Sequence, residues 1–192
     1  MSLYYSLIQS HINYGILAWG YNNERITKLQ KRAIRIISLA KYNAHTEPLF
    51  KKMKILQVND LFKLNQLKFY HKYVNKRLPD YFTSLVLKPN TELYAHNTRN
   101  QNNLHRTRVV HEYATKCIRN SIPKLVNTTP NVIIDKISTH SLKGFVNYAK
   151  TKYIQNYEDR CLKEHLPTTF ANCMPTHLRL SEFCMYINQA TH

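Results

Sequence analysis

The stretch Ile12–Ile37, INYGILAWGYNNERITKLQKRAIRII, decides how the rest of the chain is read. It holds two of the three glycines and the only tryptophan, and then turns strongly periodic. Ile26, Leu29, Ala33, Ile34 and Ile37 follow the i, i+3, i+7, i+8, i+11 spacing of one buried stripe. That spacing predicts a helix over Glu24–Leu39. Lys28, Lys31, Arg32 and Arg35 fall on the opposite side, within an arc of about 100° and along about 10 Å of axis. Glu24 at the start complements the helix dipole; no other acid lies in the segment. An ordinary solvated helix face mixes signs to avoid self-repulsion. A one-sign strip is therefore read as a phosphate-contacting face, with a solvated charged face as the bland alternative.

The segment before it, Leu3–Ala18, reads as a first helix with Leu3, Leu7, Ile8, Ile12 and Ile16 near one face. Gly15 sits inside that helix at a cost of about 1 kcal/mol against alanine, which points to close approach by a neighbouring backbone. Gly20 stops the helix and GYNNE makes the turn. Trp19 reads as a core anchor between the two helices. Further along, Thr46 as N-cap, Glu47 and Pro48 open a short helix over about 47–53. Asn59 caps a longer one, Asp60–Lys76, whose Leu61, Leu64, Leu67, Phe69, Tyr70, Tyr73 and Val74 cover more than half its circumference. That breadth predicts burial against several neighbours. His45 and His71 stand alone and read as satisfied polar neighbours.

Residues 88–107, KPNTELYAHNTRNQNNLHRT, are rich in asparagine and poor in apolar side chains, as in a linker or long loop. Mixed helical patterning resumes at 108, broken at Pro123, Pro130, Pro167 and Pro175. Around Ser141–Ile154, Leu142, Phe145, Val146, Ala149, Tyr153 and Ile154 form a broad apolar face, with Lys143, Lys150 and Lys152 outside it. This face is read as packing onto the fold.

Composition sets the partner class. Lys and Arg number 28 against 11 acids, for a formal charge of +17 and a pI of about 9.8. Nucleic acid is the partner such a charge most directly suits, because each neutralised phosphate releases counterions; an acidic membrane surface is the rival. No run of about 18 apolar residues exists, so no membrane span is expected. The N-terminal MSLYYSLIQSHINYG lacks a basic n-region. The chain is therefore read as nuclear or cytoplasmic rather than secreted, with Cys117, Cys161, Cys173 and Cys184 as thiols. Three glycines exclude a phosphate-binding glycine loop, and there is no Gly-x-Ser-x-Gly elbow. Cys161/His165 and Cys173/His177 are two i, i+4 pairs, a ligand set of the right number for tetrahedral zinc. Pro175 interrupts the second pair, and the spacing matches no zinc finger; incidental thiols and histidines in a tail are the favoured reading.

LYYSLIQSHINYGILAWG, followed by ITKLQKRAIRIISLAKYNAHTEPLFKKMKILQVNDLFKLNQLKFYHKY, resembles the region just downstream of the palm in reverse transcriptases of non-LTR retrotransposons of the jockey and CR1-like groups. CIRNSIPKLVNTTPNVIIDKISTHSLKGFVNYAKTKYIQNY is similar to the continuation of those polyproteins, more loosely. The resemblance covers about residues 3 to 157. Three glycines and seven prolines favour helices over a turn-rich β architecture. Patterning divides this mainly α chain into a helical subdomain over 1–87, an Asn-rich linker over 88–107, a second, looser helical region over 108–160, and a tail over 161–192. The resemblance implies that the first is thumb-like and the rest its C-terminal extension. It also implies that the chain is part of an RNA-directed DNA polymerase, with a thumb that grips template–primer duplex by its backbone. RNA, DNA or an RNA–DNA hybrid is the expected partner, held through Lys28, Lys31, Arg32 and Arg35.

One departure from the family limits that expectation. The resembled polymerases use Mg2+ held by two adjacent aspartates in the palm, whereas Asp60, Asp80, Asp135 and Asp159 are scattered here. Glu158-Asp159 is the only adjacent acidic pair, and neighbours on a helix diverge by about 100°. The chain is accordingly expected to lack catalysis of its own and to need no cofactor, as a fragment beginning at an internal methionine. A helical protein-interaction module, or a transposon remnant without a present role, is the alternative.

Overall fold

The structure is a computed structural model that describes residues 2–21, 23–85, 87–96 and 99–165, without the side chains of 83, 84 and 158–165. It is mainly α-helical, and no β-strand occurs among the described residues. A wide π-helical stretch, Tyr4–Gln9, runs directly into α1, Ser10–Asn13, and α2 follows as Ile16–Trp19. Then come α3 (Glu24–Ile37), α4 (Glu47–Met53), α5 (Val58–Val74), α6 (Glu112–Lys116), α7 (Ile118–Thr128), α8 (Asn131–Thr139) and α9 (Leu142–His165).

The first helix expected over Leu3–Ala18 is broken. Gly15 takes φ +63°, a left-handed conformation that favours glycine, and this kinks the chain between α1 and α2. The close approach expected at Gly15 belongs instead to Gly20. There an added Cβ would lie 2.4 Å from the Ile16 carbonyl oxygen and 2.8 Å from Phe62 on α5. Trp19 packs against the core and donates Nε1–H to the Tyr14 carbonyl at 2.7 Å, spanning the kink from above. The wide N-terminal turn also moves the buried face. Tyr4, Ile12 and Ile16 are buried, whereas Leu3 and Leu7, expected on that face, are exposed.

Helices α3, α4 and α5 end alike. Leu39, Lys54 and Lys76 adopt φ of 54°, 54° and 50°. Beyond each, a backbone N–H reaches back five residues: Ala40 to Arg35 at 3.0 Å, Ile55 to Phe50 at 3.0 Å, and Arg77 to Lys72 at 2.8 Å. This is the glycine-type helix terminator built without glycine. The start of α4 was expected to carry a Thr46 side-chain cap. Thr46 is buried and its carbonyl accepts from the Phe50 N–H at 2.9 Å, but its hydroxyl makes no cap bond. Helix α5 begins at Val58, two residues before the expected start, with Gln57 rather than Asn59 at the cap position.

Broad burial of α5 follows from its place at the centre. It contacts α2, α3, α7, α8 and α9, and Leu61, Phe62, Leu64, Leu67 and Phe69 are all buried in it. His71 is buried too: its Nε2 faces the His140 carbonyl at 3.0 Å and its ring lies 5.4 Å from Phe145. Helix α9 packs along α4 and α5 through Phe145, Ala149 and Tyr157, as its apolar face predicts. Pro123 does not break the chain as expected. It sits buried inside α7, where only the bond to the Arg119 carbonyl is lost.

Residues on both sides of 88–107 share one hydrophobic core, from Tyr4 to Tyr157. The intervening segment closes on itself. A single bridge pairs Pro89 with Leu104, and Asn90 N–H and His105 N–H donate to the Asn103 and Lys88 carbonyls at 2.9 and 2.8 Å. The Asn127 side chain on α7 then grips both backbone groups of Leu104 at 2.9 Å each.

Candidate nucleic-acid interface

Helix α3 carries the four cations singled out by spacing. Its N-terminus is capped by Asn23, whose Oδ1 accepts from the Ile26 N–H at 3.2 Å. The buried side of the helix differs from the expected stripe. Gln30 and Ile34 are its most buried residues, Ile26 packs at the edge of the core, and Leu29 is 60% and Ile37 38% exposed. The reason is a polar socket. Gln30 Nε2–H2 donates to Tyr4 Oη at 2.8 Å and to the Leu56 carbonyl at 2.9 Å, while its Oε1 accepts from the Val58 N–H at 3.0 Å. Gln30 and Ile34 stand about 40° apart at 100° per residue, and centring the buried face on them rotates it away from the purely apolar stripe.

That rotation sorts the cations. Lys28 and Arg32 become fully outward and exposed, and Lys31 and Arg35 lie half-buried on one shoulder. Arg35 donates Nε–H to the Ala44 carbonyl at 2.9 Å, which fixes its guanidinium beside the loop after α3. Lys28 pairs with Glu24 at 3.8 Å, but both side chains are at least three-quarters exposed, and an exposed pair of this kind holds the lysine weakly. Arg25, not among the four cations picked out by spacing, is exposed at the edge of the same arc and widens it to about 120°. Its signal was legible in the same helical wheel, one turn before Lys28 and two before Arg32. Next to the cations lies an apolar flank: Leu29, Ile36 at 65% exposure and Leu39 at 94%.

Charge and shape together allow this face to meet a polyanion along a helix, one cation per turn or more, without reading base identity. Among the described residues, Asp60, Asp80 and Asp135 form no Mg2+-holding pair. Asp60 is buried against Lys63 at 3.6 Å, and Asp80 and Asp135 stand on other elements. No group of three or more His, Cys, Asp or Glu among the described residues is placed to hold a metal ion. Of the zinc ligand set, Cys173 and His177 lie outside the described residues, as do the side chains of Cys161 and His165. No helix among the described residues is long and apolar enough to cross a membrane.

The class defined by this fold and surface is a mainly α-helical, strongly basic chain with a cationic helix face. Comparison with known proteins returned no matching family model, no similar curated protein and no similar solved structure.

Proposed function

We propose that this chain is the thumb and downstream part of a non-LTR retrotransposon reverse transcriptase, and that it grips template–primer duplex through the outward face of α3. The observation that carries the reading is the one-sign arc of Lys28, Lys31, Arg32 and Arg35, opposite a side seated by Gln30, with Glu24 as its only acid. A thumb holds any sequence, so it needs cations on phosphates and a rigid base for them. An A-form or hybrid duplex is read by shape and backbone. The aromatic kink at Trp19 and the Gln30 socket supply the rigidity.

Fluorescence anisotropy on a short RNA–DNA hybrid, taken from low to physiological salt, tests this. Log affinity falls with log salt with a slope of about −0.9 per phosphate neutralised on duplex DNA. Reversing Lys28, Lys31, Arg32 and Arg35 to Glu lowers affinity at least about 100-fold and flattens the slope by about 4. Unchanged affinity in a folded variant ends the duplex-grip reading. The exposed Leu29, Ile36 and Leu39 favour a second reading, a helical protein-interaction module. That reading predicts weak, variant-insensitive nucleic-acid binding. An in-frame palm with paired aspartates in the DNA upstream of Met1 separates the reverse-transcriptase origin from both.

A further inference from the structure

A second cationic site lies away from α3, whose residues do not line it. Between α5, the turn after it and α9 there is a cleft of ≈ 770 Å³, within the usual range of ligand pockets. Leu17, Phe69, Phe82 and Val146 form apolar walls, and the Phe69 and Phe82 rings meet edge-to-face at 5.3 Å. Three lysines line the same space: Lys68 and Lys72 from α5, and Lys143 from α9. Among the described residues, none of the ion pairs involves these lysines. Lys68 is half-buried, and its pKa is pulled down by burial and then by the charges of Lys72 and Lys150. Positive charge is thus held against an apolar wall without a described counter-charge, and an anion placed there relieves both desolvation and repulsion. Two amides complete the lining, Asn65 and Asn147. Asn65 donates one Nδ2–H to the Leu61 carbonyl at 2.8 Å, which orients the amide and leaves Oδ1 able to accept from a ligand.

We propose that this cleft holds an unpaired nucleotide of single-stranded nucleic acid, its base against the Phe69, Phe82 and Val146 walls and its phosphates on Lys68, Lys72 and Lys143. A nucleotide requires three things at once: cations, an apolar wall for the base and amide groups for the base edge. The cleft has all three. A fatty carboxylate needs only the first two and leaves both amides without use. The proposal does not rest on the duplex reading of α3: if the chain takes no hybrid, the abasic oligonucleotide is the control, and equal loss on it overturns the proposal.

The test uses the full chain and a fluorescein-labelled oligothymidylate of about ten nucleotides, close to the site sizes of single-strand binders. The combined variant Lys68→Ala, Lys72→Ala and Lys143→Ala loses about tenfold or more in affinity for this probe, while affinity for the RNA–DNA hybrid stays within about twofold. Val146→Trp, which takes up part of the cleft beside its apolar wall and leaves the charge unchanged, weakens the same probe severalfold. If the triple variant fails to fold by circular dichroism, exposed Lys72→Ala alone is used and is expected to lose about threefold. Equal loss on single strand and hybrid overturns the proposal, because general charge then explains both. So does equal binding of an abasic oligonucleotide of the same length, or laurate binding in a chain that does not take the oligothymidylate.

Discussion

At the scale of single residues, Gln30 is the side chain on which the interface depends. It joins the N-terminal π-helical stretch, α3 and the start of α5 through three buried hydrogen bonds. Gln30→Leu fits the volume but leaves Tyr4 Oη, the Leu56 carbonyl and the Val58 N–H without that partner. It is expected to lower stability by about 2–4 kcal/mol in urea denaturation. Tyr153 supplies a pH test. Burial, and then the charge of Asp60, push its hydroxyl up from 10.0 to about 12. The folded chain therefore holds a proton that the unfolded chain releases first, and the stability tied to Tyr153 is full below pH 10 and lost as pH rises from 10 toward about 12. Tyr153→Phe removes that part of the decline. Urea midpoints of variant and parent measured across the window diverge upward for the variant; parallel curves would refute the assignment.

At the scale of elements, two glycines in one hairpin carry different constraints. Gly15 needs its left-handed φ, while the nearest neighbour of an added Cβ is Trp19 at an ordinary 3.5 Å. Gly15→Ala is expected to cost about 1–2 kcal/mol, the strain of an L-residue in that region. Gly20 has an ordinary φ but no room, since the Ile16 carbonyl is backbone and cannot turn away as a side chain does. Gly20→Ala should therefore lower the melting temperature more than Gly15→Ala, by displacing α2 from Phe62 on α5. The reverse order in a thermal melt would show that φ, not contact with α5, governs this hairpin. The same local logic explains why α4 matched its expected bounds. Acid, proline and a short apolar run are signals within one turn, and α4 is Glu47–Met53.

At the scale of the molecule, the core is one. Tyr157 near the end of α9 accepts a hydrogen bond from the Gln57 N–H at 2.9 Å across 100 residues, and its ring meets Phe50 of α4 edge-on at 6.4 Å. Tyr157→Ala is expected to destabilise by about 3–5 kcal/mol. Because both halves share the core, the loss should appear as one cooperative transition shifted as a whole. Two separated transitions, one for 1–87 and one for 108–157, would show that the halves unfold independently.

The sequence by itself determined the helical class, the spans of α3 and α4 to within two residues, and the cationic arc on α3. Each depends on periodicity and end signals within a turn or two, and a helix turns by the same angle whatever surrounds it. The burial of α5 was legible for the same reason, since apolar residues around most of a helix require neighbours on most sides. Tertiary structure alone decided which way α3 faces, because the partners of Gln30 lie 26 to 28 residues away and no apolar pattern marks a buried glutamine. It alone decided that Gly15 breaks a helix, that Gly20 meets Phe62 on α5 as well as the Ile16 carbonyl, and that the asparagine-rich segment is clamped by Asn127. The lysine-lined cleft between α5 and α9 also belongs to this second group. Lys68 and Lys72 are separated in sequence from Lys143 by about seventy residues, and only the packing of the two helices brings their charges onto one apolar wall.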